Sequence, residues 1–452
     1  MSLQPDRRTL VALLASAGSL VPAAAMAAPR QRSAGPLKTA AAHELGLVPD
    51  AAADQSAVLQ AAVDQAALRG VVLALAPGRY RVRGVELRAG SHVVGSPRTV
   101  ISASGGPALV GNGANGVRLE KLRIEGPGAT GSPGAGGLVE LTGSEHIGLH
   151  DVSLADASGD GFLITRCSGR VDGCRIERVR SAGLKSVDAA GLAIQGNTVA
   201  DCGDNGIIVW RTEVGEDGTI VADNRIERIG AASGGSGQNG NGVNVFRAGG
   251  VRVAGNRITD CAYSAVRANA ASNVQITANT VARIGEVALY AEFGFEGALI
   301  AQNVVDGAAA GIAVTNFNEG GRLAVVQGNL VRNLKRREHE PVDKRGEGIS
   351  VEADAAVSGN TIEGAPTAGI VIGWGRYMRN VAATGNVIRA CRVGVMITRD
   401  PAAGTCLVAQ NVIAGARDGA VRLMELGRLT GEDLARAGSR SERLVVAGNA
   451  VA

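Results

Sequence analysis

One four-residue pattern, Gly/Gln/Ala/Asp-Asn-x-Ile/Val/Leu, limits what this chain can fold into. It returns at Asn197, Asn224, Asn256, Asn279, Asn303, Asn329, Asn360, Asn386, Asn411 and Asn449. The intervals are 27, 32, 23, 24, 26, 31, 26, 25 and 38 residues, so the shortest is about one turn of a strand-built solenoid. Between the tetrads lies a second pattern, Gly-Ile/Val-x-Val/Ile, beginning at Gly206, Gly242, Gly311, Gly348, Gly369 and Gly394. Its period of two and its β-branched residues mark short strands.

Brief strands, Gly and Asn at corners and no helical periodicity predict an all-β fold, a right-handed parallel β-helix of about 12 coils stacked roughly 4.8 Å apart. An Asn at each corner tolerates left-handed backbone, and its amide can pair with the Asn above and below. The ten Asn residues are therefore read as architecture. Cys202, Cys261 and Cys391 each stand five residues after a tetrad Asn, where other coils carry Ile229, Ile284, Ala308, Leu334, Ala365 and Ala416. A slot shared by Cys, Ile, Leu and Ala is interior. Cys406 matches Val381 and Ala355 in the same way, whereas Cys167 and Cys174 are close enough in sequence to pair. No cysteine spacing suggests a metal site.

A length of 452 residues exceeds one globular core, but a solenoid has no such limit because each coil needs only its neighbours. The net charge of +4 is too small for this length to argue for nucleic acid. No membrane span is read beyond the N-terminus. Residues 1–28 read as an export signal: Arg7-Arg8 precedes an apolar run, and Ala25-Met26-Ala27 supplies a cleavage pattern. The paired arginines resemble a twin-arginine signal, which implies the twin-arginine translocase as an export partner and a periplasmic or secreted protein. Asp6 stands where that signal usually has Ser or Thr, and an ordinary secretory signal is the alternative. Residues 29–42 read as a disordered linker, and 43–452 as one β-helix domain opening with a helix over about 54–69.

Asp54-Gln55 and the strand ending Pro77-Gly78-Arg79-Tyr80 resemble the opening of the pectate-lyase-like superfamily, in which a short amphipathic helix caps the open end of the β-helix. With the export signal and the repeat, the chain resembles the twin-arginine-translocated repeat proteins of proteobacteria, a resemblance that spans nearly all of it and carries over no catalytic residue. The wider superfamily also holds polysaccharide lyases, galacturonases and alginate epimerases, and fold alone does not select among them.

The site is therefore sought among outward positions. In Gly-Ile-x-Val-x the branched residues face in, so the x positions face out. The end coils give mainly apolar or small outward pairs. The central ones give Asn244 and Phe246, Arg267 and Asn269, Tyr290 and Glu292, Ala313 and Thr315, Ser350 and Glu352. Six of the eleven Phe, Trp and Tyr residues also fall in residues 242–354. The two long intervals place extra segments, 231–240 and the charged 335–344, at one point of the coil, about 19 Å apart at the inter-strand spacing. They predict the walls of a groove for a polysaccharide, acidic if the charged segment faces it.

Two chemistries fit such a floor. Proton abstraction beside a uronate carboxylate needs a cation and a base, roles that Arg267 and Tyr290 can fill. Hydrolysis needs two carboxyls, and Glu292 with Glu352 would stand two coils apart, roughly 9 to 10 Å. Asn244, Phe246, Asn269, Thr315, Asn316 and Asp354 would bind substrate through amides, a hydroxyl, an aromatic face and a carboxylate. No cofactor is implied, apart from a Ca²⁺ ion for which Glu292, Glu352 and Asp354 offer carboxylate ligands. A lyase, epimerase or hydrolase is the first expectation, and a non-catalytic carbohydrate-binding or envelope structural protein the second.

Overall fold

The computed structural model describes residues 38–128, 136–336, 346–437 and 439–452. Every coil contributes a strand to each of three sheets. Among the described residues the tetrad sheet, whose strands follow the tetrad Asn, stacks fifteen strands, all in parallel. The Gly-Ile sheet also has fifteen, and the return sheet, which leads back to the next tetrad, has seventeen. The array is thus somewhat longer than twelve coils. Early coils escaped the tetrad pattern because they carry Leu122, Val152 and Cys174, all buried, where later coils carry Asn.

The tetrad Asn residues form one continuous ladder. From Asn197 to Asn449 each donates its Nδ2 to the Oδ1 of the Asn in the next coil at 2.9 to 3.0 Å. The backbone N–H of each converges on the same oxygen, and Nδ2 also reaches a carbonyl, as Asn303 does to Ile276. The left-handed residue is not the Asn but the one before it: Gly196, Asp223, Gly255, Ala278, Gln302 and their counterparts have φ between 56° and 67°. That position turns the corner and explains why the tetrad opens with Gly in six of its ten occurrences.

The Gly of the second motif has another reason. A Cβ on Gly206, Gly242, Gly348 or Gly369 would come within 2.4 to 2.7 Å of a methyl of Ile226, Ile258, Ile362 or Ile388 in the tetrad sheet. Glycine lets the two sheets close on a core of branched residues. Cys202 and Cys261 take the interior slot on either side of Ile229, and Cys406 is in register with Val381, as expected. All six cysteines are buried free thiols; Cys167 and Cys174 do not pair, because they occupy different corners of the coil, one before the return strand Gly169–Asp172 and one after it.

At the N-terminal end, helix Ser56–Arg69 closes the barrel by burying Leu59, Ala62, Val63 and Ala66. Asp54 accepts the Ser56 amide at 2.8 Å, and the buried Gln55 side chain exchanges two hydrogen bonds with the Val48 backbone. Of the segment read as a linker, residues 29–37 lie outside the described residues, and Thr39–Ala41 is instead a strand paired in parallel with Val72–Ala74, which covers an otherwise open sheet edge. Near the C-terminal end Arg428–Thr430 folds back as a hairpin on Val421–Glu425, and a short helix, Leu434–Ala437, follows. Asp433 fixes this cover by accepting the amides of Ala420, Val421 and Ala435.

Candidate functional site

The outward face of the Gly-Ile sheet carries the expected columns. Ile208, Asn244, Arg267, Tyr290, Ala313 and Ser350 are in register coil by coil, as are Trp210, Phe246, Asn269 and Glu292. Outward is not the same as exposed, however. Trp210 is 39% exposed, whereas Arg267, Tyr290, Glu292 and Ser350 are 7%, 5%, 2% and 7% exposed. The face divides into an open groove and a closed polar cluster.

The open part is a groove of about 450 Å³ between the sheet and the segment 231–240. Lys185, Trp210, Asn244, Phe246, Arg267 and Asn269 line it from the sheet, Ser236 to Asn239 from the segment, and Phe293 from its far end. Trp210 and Phe246 meet edge to face with centroids 5.2 Å apart at 71°. Lys185 Nζ lies 5.3 Å from the Trp210 ring, and the Arg247 guanidinium 4.9 Å from Phe246. The wall is fixed by its own hydrogen bonds: Ser233 Oγ to Asp204, Tyr263 hydroxyl to the Gly235 carbonyl, Asn244 Nδ2 to the Gln238 carbonyl. Gly237 belongs there for space as well as for its φ of 129°, since an added Cβ would collide with the Arg267 guanidinium.

The closed part begins at Arg267. Its Nε donates to Glu292 Oε1 at 2.5 Å and its Nη1 faces Glu286 Oε2 at 3.4 Å, while Asn269 Nδ2 donates to the same Glu292 oxygen at 3.0 Å. The guanidinium also lies 5.3 Å over the Tyr290 ring. Burial works against the charge of Arg267, but the Glu292 carboxylate beside it, with Glu286, outweighs that and holds the guanidinium above its ordinary range. Three of the four residues expected to be catalytic thus converge on one another, with little surface left for a substrate.

The fourth does not join them. Glu352 accepts the Phe317 amide at 2.6 Å, at the start of the 3-10 turn Phe317–Glu319. It lines a separate cavity of about 40 Å³ with Tyr290, Thr315, Glu347, Ser350 and Trp374, room for a few waters and not for a sugar ring. Asn316 is a corner residue with φ 68° that accepts the Phe293 amide. Asp354 leaves the face altogether: it holds Arg379 and Asn380 at the next corner and borders a shallow depression on the return sheet. Arg379 keeps its carboxyl below the usual range. The expected Ca²⁺ set is therefore dispersed, with Glu292 on Arg267, Glu352 on a backbone amide and Asp354 on Arg379. Among the described residues no three His, Cys, Asp or Glu side chains stand together as metal ligands.

Sequence reasoning passed over Lys185, Glu286 and Glu347. Lys185 stands in a coil whose Gly183-Leu184-Lys185-Ser186 breaks the Gly-Ile-x-Val pattern, yet it is in register with Leu163 and Ile208. Glu286 precedes strand Val287–Glu292, and Glu347 opens strand Glu347–Val351, where it takes a hydrogen bond from Ser350. Period-two alternation would have placed Glu347 inward with Ile349 and Val351; the alternation breaks at Gly348, which faces Ile362 in the core, and Glu347 turns out to meet Ser350. Of the charged segment, Lys335 donates its amide to the Ala308 carbonyl, and 337–345 lie outside the described residues, as does the proposed signal.

Among solved structures, the chain is similar to bacteriophage phi29 gene product 12 (pre-mature form), with a TM-score of 0.50 at 13% identity over 85% of this chain and 55% of that one. It thus spans about half of the phage protein. It is similar to PfbA, a surface adhesin of Streptococcus pneumoniae, with a TM-score of 0.50 at 14% identity over 85% of this chain and 93% of that one. The catalytic unit of an alpha-1,3-glucanase from Streptomyces thermodiastaticus gives a TM-score of 0.48 at 14% identity, covering 93% and 69%. At these identities the likeness is one of fold. No curated protein matches the chain. The family model described as "Right handed beta helix region" matches residues 81–226, 160–330 and 215–388, most of the chain, which therefore belongs to the right-handed β-helix family.

Proposed function

We propose that this is a polysaccharide-binding β-helix protein whose ligand lies in the groove over Trp210 and Phe246, along the solenoid axis. The observation that carries the reading is an open groove with an aromatic floor and an amide-rich wall on an otherwise well-packed solenoid. Sugar rings present C–H faces that pack on aromatic rings, and hydroxyls that exchange hydrogen bonds with amides such as those of Asn244, Gln238 and Asn269. Affinity electrophoresis through gels containing single polysaccharides tests it: one or more polymers retard the wild type, and Trp210→Ala migrates freely in them. Equal migration of both proteins in every gel would remove the reading.

A lyase or epimerase at the same place is the second reading, favoured by the convergence of Arg267, Tyr290 and Glu292. It requires the Arg267–Glu292 pair to open so that the guanidinium can meet a substrate carboxylate and the Tyr290 hydroxyl can move a proton. Hydrolysis by Glu292 and Glu352 has less support, because each carboxylate already serves a different protein group. Absorbance near 235 nm, from unsaturated uronate ends, and NMR of the recovered polymer separate the readings: a rise abolished by Tyr290→Phe marks a lyase, inverted uronate units without that rise mark an epimerase, and retardation with neither marks a binding protein. The signal-like residues 1–28 support placing this work outside the cytoplasm, and among the described residues no helix is long and apolar enough to cross a membrane.

A further inference from the structure

The expectation of an acidic ligand rested on Arg267 and on the charged segment near 340. Residues 337–345 lie outside the described residues, and Arg267 supplies no open positive charge at the groove, since it is held by Glu292 and Glu286. Another residue does. Among the described residues no acidic side chain lines the groove, and Lys185 lines it with no carboxylate partner. Its neighbours in register are the apolar Leu163 and Ile208, and its ammonium rests near the Trp210 ring, 5.3 Å from the centroid. An ammonium drawn partly out of water, with only an aromatic face beside it, gains most from an anion.

We infer that the groove takes an anionic oligosaccharide, its acidic group held at Lys185 and the apolar face of an adjoining sugar against Trp210 and Phe246. This rests on the groove being a polysaccharide site. Lys185 and Arg267 are three coils apart in register, roughly 14 Å at the inter-strand spacing, so the footprint is a short oligosaccharide with one unopposed cation at its end. Selectivity should therefore come from a single ionic contact. A carboxylate and a sulfate ester both meet that requirement, because each offers hydrogen-bond acceptors and a negative charge within reach of one ammonium.

The full-length mature protein, Lys185→Gln and Trp210→Ala are compared by affinity electrophoresis in polygalacturonate, dextran sulfate and neutral dextran, at low and at high salt. The expected result is retardation of the wild type by one or both charged polymers, weakened by salt, and about a tenfold loss of affinity in Lys185→Gln. Trp210→Ala loses retention altogether. Retention in polygalacturonate alone assigns a carboxylate, and in dextran sulfate alone a sulfate ester. Neutral dextran retained as strongly as the charged polymers, or Lys185→Gln unchanged while Trp210→Ala fails, overturns the anionic assignment and leaves the groove standing. Trp210→Ala indistinguishable from wild type in every gel overturns both.

Discussion

The Asn ladder and the outward face of the Gly-Ile sheet are built alike and end up opposite in kind. Both stack polar side chains coil upon coil at one spacing. In the ladder the same residue repeats ten times, and each amide is satisfied by the next, so nothing remains to bind a ligand. On the Gly-Ile sheet the residue changes with every coil, from Lys185 through Ile208, Asn244 and Arg267 to Tyr290, so the side chains cannot satisfy one another by translation. Some close into the buried Arg267–Glu292 pair and others stay open. Repetition marks architecture, and its loss marks the site.

That contrast can be broken in several ways. The largest effect is expected where the irregular face has closed on itself: Arg267→Ala leaves Glu292 and Glu286 without their cation and should destabilise the protein by about 3–5 kcal/mol. Urea unfolding followed by circular dichroism measures it, and a loss below about 1 kcal/mol would mean that the pair opens readily, as the catalytic reading requires. Asn303→Ala interrupts the ladder at its centre and strands polar groups of both neighbours, a loss of about 2–4 kcal/mol by the same measurement. Its polysaccharide retention, where folded, should be unchanged. Trp210→Ala should do the reverse, with stability altered by less than about 1 kcal/mol and affinity reduced on the order of tenfold or more.

A pH effect comes from the thiol below the ladder. Burial pushes Cys174 up to about 12. The folded state then keeps a proton that the unfolded chain releases near 9, so stability falls as pH rises from about 9 toward 12. Burial raises the other five cysteines too, so Cys174→Ala should lessen that slope by one thiol's share; an unchanged slope would exclude Cys174 as a contributor. The smallest effect is expected at the exposed corner where Asp156, Arg178, Asp201, Arg228, Asp260 and Arg283 alternate at left-handed positions. Arg228 lowers the carboxyl of Asp201, so this pair adds stability above the ordinary Asp range and loses it as pH falls through the depressed value. Both groups are well exposed, and Asp201→Asn should change stability by no more than about 0.5 kcal/mol.

The fold was legible because a solenoid is a local rule repeated. The intervals between Asn residues, the Gly-Ile strands and the Cys202 slot each follow from what one coil needs of the next, and they hold coil after coil in the structure. Where the pattern weakened, legibility weakened too: the coils with Leu122, Val152 and Cys174 at the ladder position were undercounted, and Lys185 was missed behind Leu184. The outward columns were right in register, yet register carries no information on cover. Hence Arg267, Tyr290 and Glu292 were expected on an open floor and are nearly buried, and Asp354 was assigned to a face that it leaves at the corner.

The sequence by itself determined the coil, its inward and outward alternation and the order in which side chains stack, because these depend on backbone geometry and on neighbours one turn away. Only the tertiary structure decided which outward residues close on one another and which stay open. That depends on where segments longer than one coil come to rest and on which charges meet there. The 231–240 wall leaves Trp210 and Lys185 accessible, while Arg267 turns to Glu292 because a partly buried guanidinium is stable only beside a carboxylate.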